Sequence, residues 1–336
     1  MSNSRYEYVR SYEQPDNLLP NTFLLLRIDG HAFHKFSDQH RFTKPNDLRA
    51  LELMDRAAKA IMNEYPDVVL GFGESDEYSF LIRRAATMYS RRESKIVSLL
   101  VSLFTSAYTF HWPEYFPPTD PALLASGQAD PNKLLYPPTF DGRIVCYPSP
   151  KEVRDYFSWR QVDTHINNLY NTTFWALIQL SDPPLTPTQA HKALQGSFSK
   201  DKNEILFSRF GINYSKLDER YRKGSILIRE ESKPEQALPI PPTRSGPLSD
   251  LPSVDNLSLQ SSSMPVASES ESATVSTSTT TKTSSLNLTE PRTQGARKPK
   301  KAQRATEPDG TRGPVVVLHV DLIKDEFWLT RPWLLA

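Results

Sequence analysis

Residues 23–30, Phe23-Leu24-Leu25-Leu26-Arg27-Ile28-Asp29-Gly30, open on an apolar run and close on a carboxylate and a glycine. The run reads as a buried strand, and a glycine after the carboxylate lets the backbone approach a ligand closely. A second acidic cluster, Gly73-Glu74-Ser75-Asp76-Glu77-Tyr78, lies between the β-rich runs Val68-Val69-Leu70 and Tyr78-Ser79-Phe80-Leu81-Ile82. The four residues between Gly73 and Tyr78 suit a hairpin loop. If the first strand lies beside that hairpin, Asp29 and Asp76 converge and repel each other unless a cation sits between them. Hard oxygen ligands favour magnesium.

Asp-Gly and Glu-Ser-Asp-Glu are also ordinary turn text. Here both clusters end or join buried strands, and both are flanked by side chains suited to phosphate, which favours a metal site. In that reading Asp29 and Asp76 hold metals about 3.5–4 Å apart and the Gly30 carbonyl adds an oxygen ligand. Ser75 or Glu77 then contacts phosphate or the groups around the ligands. The following stretch, Gly30-His31-Ala32-Phe33-His34-Lys35-Phe36, could start a helix or turn whose free amides face the strand end and bind phosphate. Phe33 and Phe36 are better read as core.

Further along, Arg91-Arg92-Glu93-Ser94-Lys95 opens an amphipathic helix marked by Ile96, Leu100, Leu103 and Ala107. Cations at a helix N-terminus oppose its dipole, so this cluster hints at a bound anion, with a solvated basic turn as the alternative. In residues 163–172, His165, Asn168 and Thr172 share one helical face, and Asn167 with Asn171 an adjacent one. Asn is a poor helix former, so the run implies hydrogen bonding to a ligand or a buried structural network. Arg160 and Lys202-Asn203-Glu204 could complete an anionic-ligand groove.

The 336 residues allow one large domain or two smaller ones, and the net charge of +1 leaves any nucleic-acid role to local patches. Cys146 is the only cysteine, which excludes an internal disulfide or a multi-cysteine zinc site and favours a reducing compartment, cytoplasmic or nuclear. No secretory signal or membrane-length apolar stretch is evident, so a soluble protein is expected. Residues 1–150 are expected to form an α+β catalytic domain with an inserted loop at 117–133. Its antiparallel or mixed sheet should carry helices on one face. Pro45-Asn46-Asp47 signals the start of a helix running to Pro66, and Gly142-Arg143-Ile144-Val145-Cys146-Tyr147 a further strand. Residues 151–232 should be helical, over Lys151 to Gln161, Asp163 to Leu180, Thr188 to Gln195 and Asp201 to Ser208. Residues 233–314 are rich in Ser, Thr, Pro and charge and are expected to be disordered. They include Arg297-Lys298-Pro299-Lys300-Lys301, which reads as a nuclear-localisation or RNA-contacting patch or as a solubilising charge run. The segment 315–336 should fold back onto the core through Val315-Val316-Val317-Leu318.

Taken in order, Arg27-Ile28-Asp29-Gly30 with Phe33-His34-Lys35-Phe36, Lys44-Pro45-Asn46-Asp47, Ser75-Asp76-Glu77-Tyr78-Ser79-Phe80, Phe140-Asp141-Gly142-Arg143, Ser158-Trp159-Arg160-Gln161, His165 to Asn171, Asp201 to Phe207 and Tyr221-Arg222-Lys223-Gly224 resemble the eukaryotic, fungal-like tRNA-histidine guanylyltransferase family. The resemblance covers most of the chain. It implies a palm-like catalytic domain similar to those of polymerases and nucleotidyl cyclases, with two magnesium ions held on Asp29, Gly30 and Asp76. It implies activation of the 5′-monophosphate of histidine tRNA by ATP, then attack by the 3′-hydroxyl of GTP, which adds a guanosine at the 5′ end. By the same resemblance, Asp29, Gly30, His31, Ala32, Phe33 and His34 with Ser75 and Asp76 match the segment that binds the triphosphate, and Lys44 and Asp47 fall near base and sugar. Arg92, Lys95, His165, Asn171 and Lys202 match positions associated with activation or with holding phosphates or the tRNA end. A homotetramer is implied as well. Two other readings compete, a palm-type nucleotidyl cyclase and a non-catalytic RNA-binding member of the fold. The helical half argues against the first, and intact Asp29, Asp76 and Glu77 against the second.

Overall fold

Successive side chains of a strand point to opposite faces, so a run such as Phe23-Leu24-Leu25-Leu26 has two apolar sides to cover. The computed structural model, whose described residues are 4–120, 130–230 and 308–336, covers both. Its sheet comprises β1 (Phe23–Gly30), β2 (Val68–Glu74), β3 (Glu77–Ile82), β4 (Phe140–Tyr147), β5 (Ser225–Arg229) and β6 (Val315–Leu318). They are ordered β4-β1-β3-β2-β5-β6, and every neighbouring pair is antiparallel.

After β1 come α1 (Phe33–Gln39) and α2 (Leu48–Glu64), and after β3 comes α3 (Glu93–Tyr115). On that side Leu24, Leu26, Ile28 and Phe80 pack with Leu53, Met54 and Ile61 of α2 and Ile96, Leu100 and Phe104 of α3. Against the opposite face lies the first half of α4 (Pro150–Gln179). There Phe23, Leu25, Phe72 and Leu81 meet Val153 and Phe157, together with Leu322, Trp328 and Leu334 of the C-terminal segment. Helices therefore cover both faces, where one was expected.

The two helices expected at Lys151–Gln161 and Asp163–Leu180 are one continuous helix of 30 residues, started by Ser149, whose side chain accepts from the Lys151 amide, and by Pro150 in the first turn. Its far half leaves the sheet and packs with α5 (Pro187–Leu194) and α6 (Ser199–Phe210) through Leu169, Phe174, Ala176 and Leu177. A short α7 (Glu219–Lys223) follows, and α8 (Asp325–Leu329) lies in the C-terminal segment. Residues 225–229, expected to be helical, form β5, with all five buried.

Most of 233–314 lies outside the described residues, as do 297–301. Residues 308–314 are described, and Gly310 lies against Val69 and Trp333. The Glu230 amide donates to the Pro314 carbonyl at 3.2 Å, so the excursion leaves β5 and re-enters at β6 through neighbouring positions. Arg229 secures this junction by donating to the carbonyls of Val68 (2.7 Å), Gly310 (3.3 Å) and Met62, the last in the final turn of α2. Of the 117–133 loop, the two ends are described and tied together, with Thr119 donating to Asp130 at 2.9 Å and Asn132 to the Pro117 carbonyl at 2.8 Å. Among the described residues no helix is long and apolar enough to cross a membrane.

Candidate active site

Strand register brings the two acidic clusters together. Asp29 lies opposite Glu77 on β3 and opposite Asp141 on β4. Glu74 and Glu77 are themselves a cross-strand pair, so the hairpin loop is the two residues Ser75 and Asp76 rather than four. The Gly30 amide donates to the Asp76 carbonyl at 3.1 Å, which carries the turn over the end of β1. A Cβ on Gly30 would sit 2.8 Å from Asp76 Oδ2 and 2.5 Å from the Phe33 ring, so glycine is what lets the carboxylate rest against the strand end. Ser75 (φ 49°) and Ala32 (φ 54°) both hold left-handed backbone without being glycine. Such strain costs on the order of 1–3 kcal/mol per residue and gathers at functional sites.

Burial, with Asp29 nearby adding repulsion, pushes the Asp76 carboxyl above the usual range, while the Ser75 hydroxyl and His34 act in the other direction. Among the described residues no group of three or more His, Cys, Asp or Glu side chains is arranged to hold a metal. Two mutually repelling carboxylates and a backbone carbonyl suit a hard divalent ion whose remaining ligands are waters and substrate phosphate.

Glu77 has a different assignment. Arg160, reaching over from α4, donates through Nε to Glu77 Oε1 at 2.8 Å and through Nη2 to Oε2 at 2.9 Å, and also pairs with Asp163 at 3.0 Å and with Glu74. Burial raises Glu77 despite Arg160 and Arg27, and it pushes Glu74 up to about 7. Arg160, expected to line a groove for anions, is thus committed to three carboxylates, and its fork holds both flanks of the turn that carries Asp76. Glu77 is an anchor of the hairpin.

The remaining expected site residues divide by position. Phe33 is buried and stacks on Phe36 with centroids 4.8 Å apart, while His31 and His34 are exposed beside the strand end. Lys44 pairs with Asp38 at 2.8 Å and donates to Ser37 at 3.1 Å. Asp47 caps α2, accepting from the amides of Thr43 and Arg49 and from the Arg49 guanidinium. Arg92 and Lys95 lie near the opposite end of the sheet. Arg91 donates to the carbonyl of Thr22, just before β1, and Arg92 pairs with Asp16 at 3.0 Å. The length of β1 separates that end from Asp29 by about 20 Å.

On α4, Asn168 is buried in a structural chain, accepting from Asn46 at 2.9 Å and donating to the Tyr214 hydroxyl at 3.1 Å. His165 lies edge-on to Tyr214, and burial, then Arg222, lower its pKa. Asn171 is exposed, and Lys202 donates to the Ser197 carbonyl at 2.8 Å. Among the described residues no hydrogen bond or ion pair joins these helical-half positions to Asp29 or Asp76. Arg27-Ile28-Asp29 and Asp141-Gly142-Arg143 are mirror patterns that the antiparallel register superimposes, which sets Arg27 opposite Arg143 and Asp29 opposite Asp141.

Two family models match the chain, tRNAHis guanylyltransferase over residues 6–148 and Thg1 C terminal domain over residues 151–324. The chain belongs to the tRNAHis guanylyltransferase family. A tRNA(His) guanylyltransferase of Neurospora crassa is 44% identical over 339 residues, covering 100% of this chain and 97% of the relative. The crystal structure of the tRNA(His) guanylyltransferase from Saccharomyces cerevisiae superposes with a TM-score of 0.59 at 45% identity, covering 66% of this chain and 92% of that one. A bacterial Thg1-like protein in complex with ATP matches with a TM-score of 0.52 at 26% identity, over 67% of this chain and 86% of that one. The α+β antiparallel sheet is thus the family's fold.

Proposed function

We propose that this chain is a magnesium-dependent tRNA(His) guanylyltransferase whose reaction takes place at Asp29 and Asp76. The observation that carries the reading is the Asp76 carboxylate resting against Gly30 at the end of β1, beside Asp29. ATP first activates the RNA: an oxygen of the tRNA 5′-monophosphate attacks the α-phosphorus, a new P–O bond forms and pyrophosphate leaves. The 3′-hydroxyl of GTP then attacks the 5′-phosphate phosphorus and AMP leaves, so a guanosine precedes the former first nucleotide. Magnesium held on Asp29, Asp76 and the Gly30 carbonyl would polarise the phosphoryl oxygens and lower the pKa of the attacking hydroxyl.

The protein's own contribution is placement. Arg160 fixes the hairpin through Glu74 and Glu77, so the turn that carries Asp76 is held in place. Ser75 presents its hydroxyl beside Asp76, where it can meet phosphate. No side-chain nucleophile is required. Cys146, half-buried beside the first core, has no part in it.

The test is incubation of the full chain with magnesium, ATP, labelled GTP and a panel of 5′-monophosphorylated tRNAs. Label should appear on histidine tRNA. Label on none of them overturns the function, and equal label on all overturns the specificity.

A further inference from the structure

Glu77 and Tyr78 are neighbours on β3, so their side chains leave the sheet on opposite faces. Glu77 meets Arg160 on the α4 side, while Tyr78 lies in the core beneath α2 and α3. There its hydroxyl donates to Oδ1 of Asp55, in α2, at 2.9 Å. The other oxygen of that carboxylate accepts from the Ser225 hydroxyl of β5 at 3.0 Å and from the Arg220 guanidinium of α7 at 2.8 Å. Gly73 of β2 stands in register between Tyr78 and Ser225. An added Cβ there would lie 2.3 Å from the Tyr78 ring, so glycine leaves open the space through which the ring reaches Asp55.

A carboxylate in this position is costly. Asp55 is 5% exposed, and burial pushes its carboxyl upward against the pull of Arg220, Tyr78 and Ser225. Apolar side chains of similar volume commonly hold helices and strands together at least as well as a buried ion pair, so fold stability alone does not account for it. What the cluster adds is direction. The cross-strand pairs Gly73–Tyr78 and Glu74–Glu77 are the last two rungs before the turn Ser75-Asp76. Arg160 grips the final rung from the α4 face, and Asp55 grips the one before it from the α2 face. Both grips also run to α7. Arg220 lies in its first turn, and the carbonyl of Lys223 at its end accepts from Gln161, the neighbour of Arg160, at 2.9 Å. α7 in turn follows Tyr214, which packs with Leu169 and Leu206 of the helical half.

We infer that Asp55 is a positioning residue for the reaction at Asp76. Through Tyr78 it fixes the α2 side of the acidic hairpin, and through Arg220 it makes that hold depend on where α7 and the attached helical half are seated. It acts through these two side chains and not by contact with magnesium or substrate. The inference rests on the proposed magnesium-dependent transfer at Asp29 and Asp76. Groups that orient the ligands of a metal commonly change its affinity by about 10–100-fold when they are removed.

Tyr78→Phe tests it with least disturbance, because the ring that fills the space over Gly73 stays and only the hydroxyl is lost. Arg220→Ala cuts the second arm, and Arg220→Lys keeps its charge without the fork. For the full chain with ATP, the magnesium concentration that gives half of the maximal rise in melting temperature should increase about tenfold in Tyr78→Phe and Arg220→Ala, and less in Arg220→Lys. The kcat of guanosine addition should fall by a similar factor, while the KM of ATP and GTP stays within about twofold. Because both arms end on one carboxylate, the double variant should lose less than the product of the two single losses. A fall in melting temperature with magnesium requirement and kcat unchanged, or single losses that multiply, would make Asp55 a brace of the core only and overturn the inference. Should Arg220→Ala not fold, Tyr78→Phe decides alone. A wild type that neither responds to magnesium nor adds guanosine overturns the proposed function, and this inference falls with it. Variants indistinguishable from an active wild type overturn the inference alone.

Discussion

Burial and the nearby Asp29 both favour the protonated form of Asp76. Replacing it with Asn removes that repulsion, so the melting temperature of Asp76→Asn without magnesium should equal or exceed that of the wild type. Magnesium with nucleotide should stabilise the wild type in proportion to the logarithm of ligand concentration and leave the variant unmoved. Guanosine addition should fall by roughly 100-fold or more. A variant stabilised like the wild type would remove Asp76 from the metal site. A second residue-level expectation concerns His40, which sequence reasoning passed over. Its Nδ1 donates to the Phe36 carbonyl at 2.8 Å and its Nε2 accepts from the Leu135 amide at 2.9 Å, an arrangement that needs neutral imidazole. Burial lowers its pKa below the usual value. The folded state therefore binds fewer protons than the unfolded one, and the contribution is complete above the unfolded value of about 6.5 and lost as pH falls through the folded value. Thermal melts between about pH 8 and pH 5 should slope downward toward acid, with a shallower slope in His40→Gln.

Elements show what was legible in the sequence and what was not. The strand at 23–30 and the acidic hairpin could be read because the apolar runs and turn residues that define them are contiguous. Asp47 could be read as a helix start because a cap acts within one turn. Its acceptor capacity is taken up by Thr43 and Arg49, so Asp47→Ala should cost about 1–2 kcal/mol in a denaturant melt. A loss near zero would show that the cap is dispensable. The surroundings of Arg91-Arg92 are set by non-local partners: Asp16 from the N-terminal segment pairs with Arg92, and Arg91 donates to the carbonyls of Ala86 and Thr22. Nor could β5 be recognised, since five residues following helical text acquire strand character only from partners at 70–73 and 315–318. Arg160 was noticed but given the wrong partner. Nothing local says that an arginine on a helix will spend its donors on acids more than 80 residues earlier.

At the scale of the molecule, the described residues belong to one compact unit in which the two ends of the long excursion meet at the β5–β6 pair. Closing a loop costs little more as it lengthens. Replacing residues 232–306 with a flexible linker of about ten residues should therefore leave the melting temperature within about 2 °C and guanosine addition intact. A large loss would show that the removed residues contribute to the unit. Truncation after residue 307 should behave in the opposite way. It removes β6 and the cover that Leu322, Trp328 and Leu334 give to Phe157, Ile226 and Ile228, and so should yield insoluble or protease-sensitive protein.

The pairing of β5 with β6 also sets an order of events during synthesis. All the carboxylates and arginines of the site emerge from the ribosome before residue 230, yet the second hydrophobic face stays open until the last twenty or so residues arrive. A message truncated inside the excursion thus encodes the carboxylates of the hairpin and of β1 but not the cover over the second hydrophobic face. Its product should expose Ile226, Ile228 and Phe157, which Leu322, Trp328 and Leu334 otherwise cover, and so should be cleared by proteases.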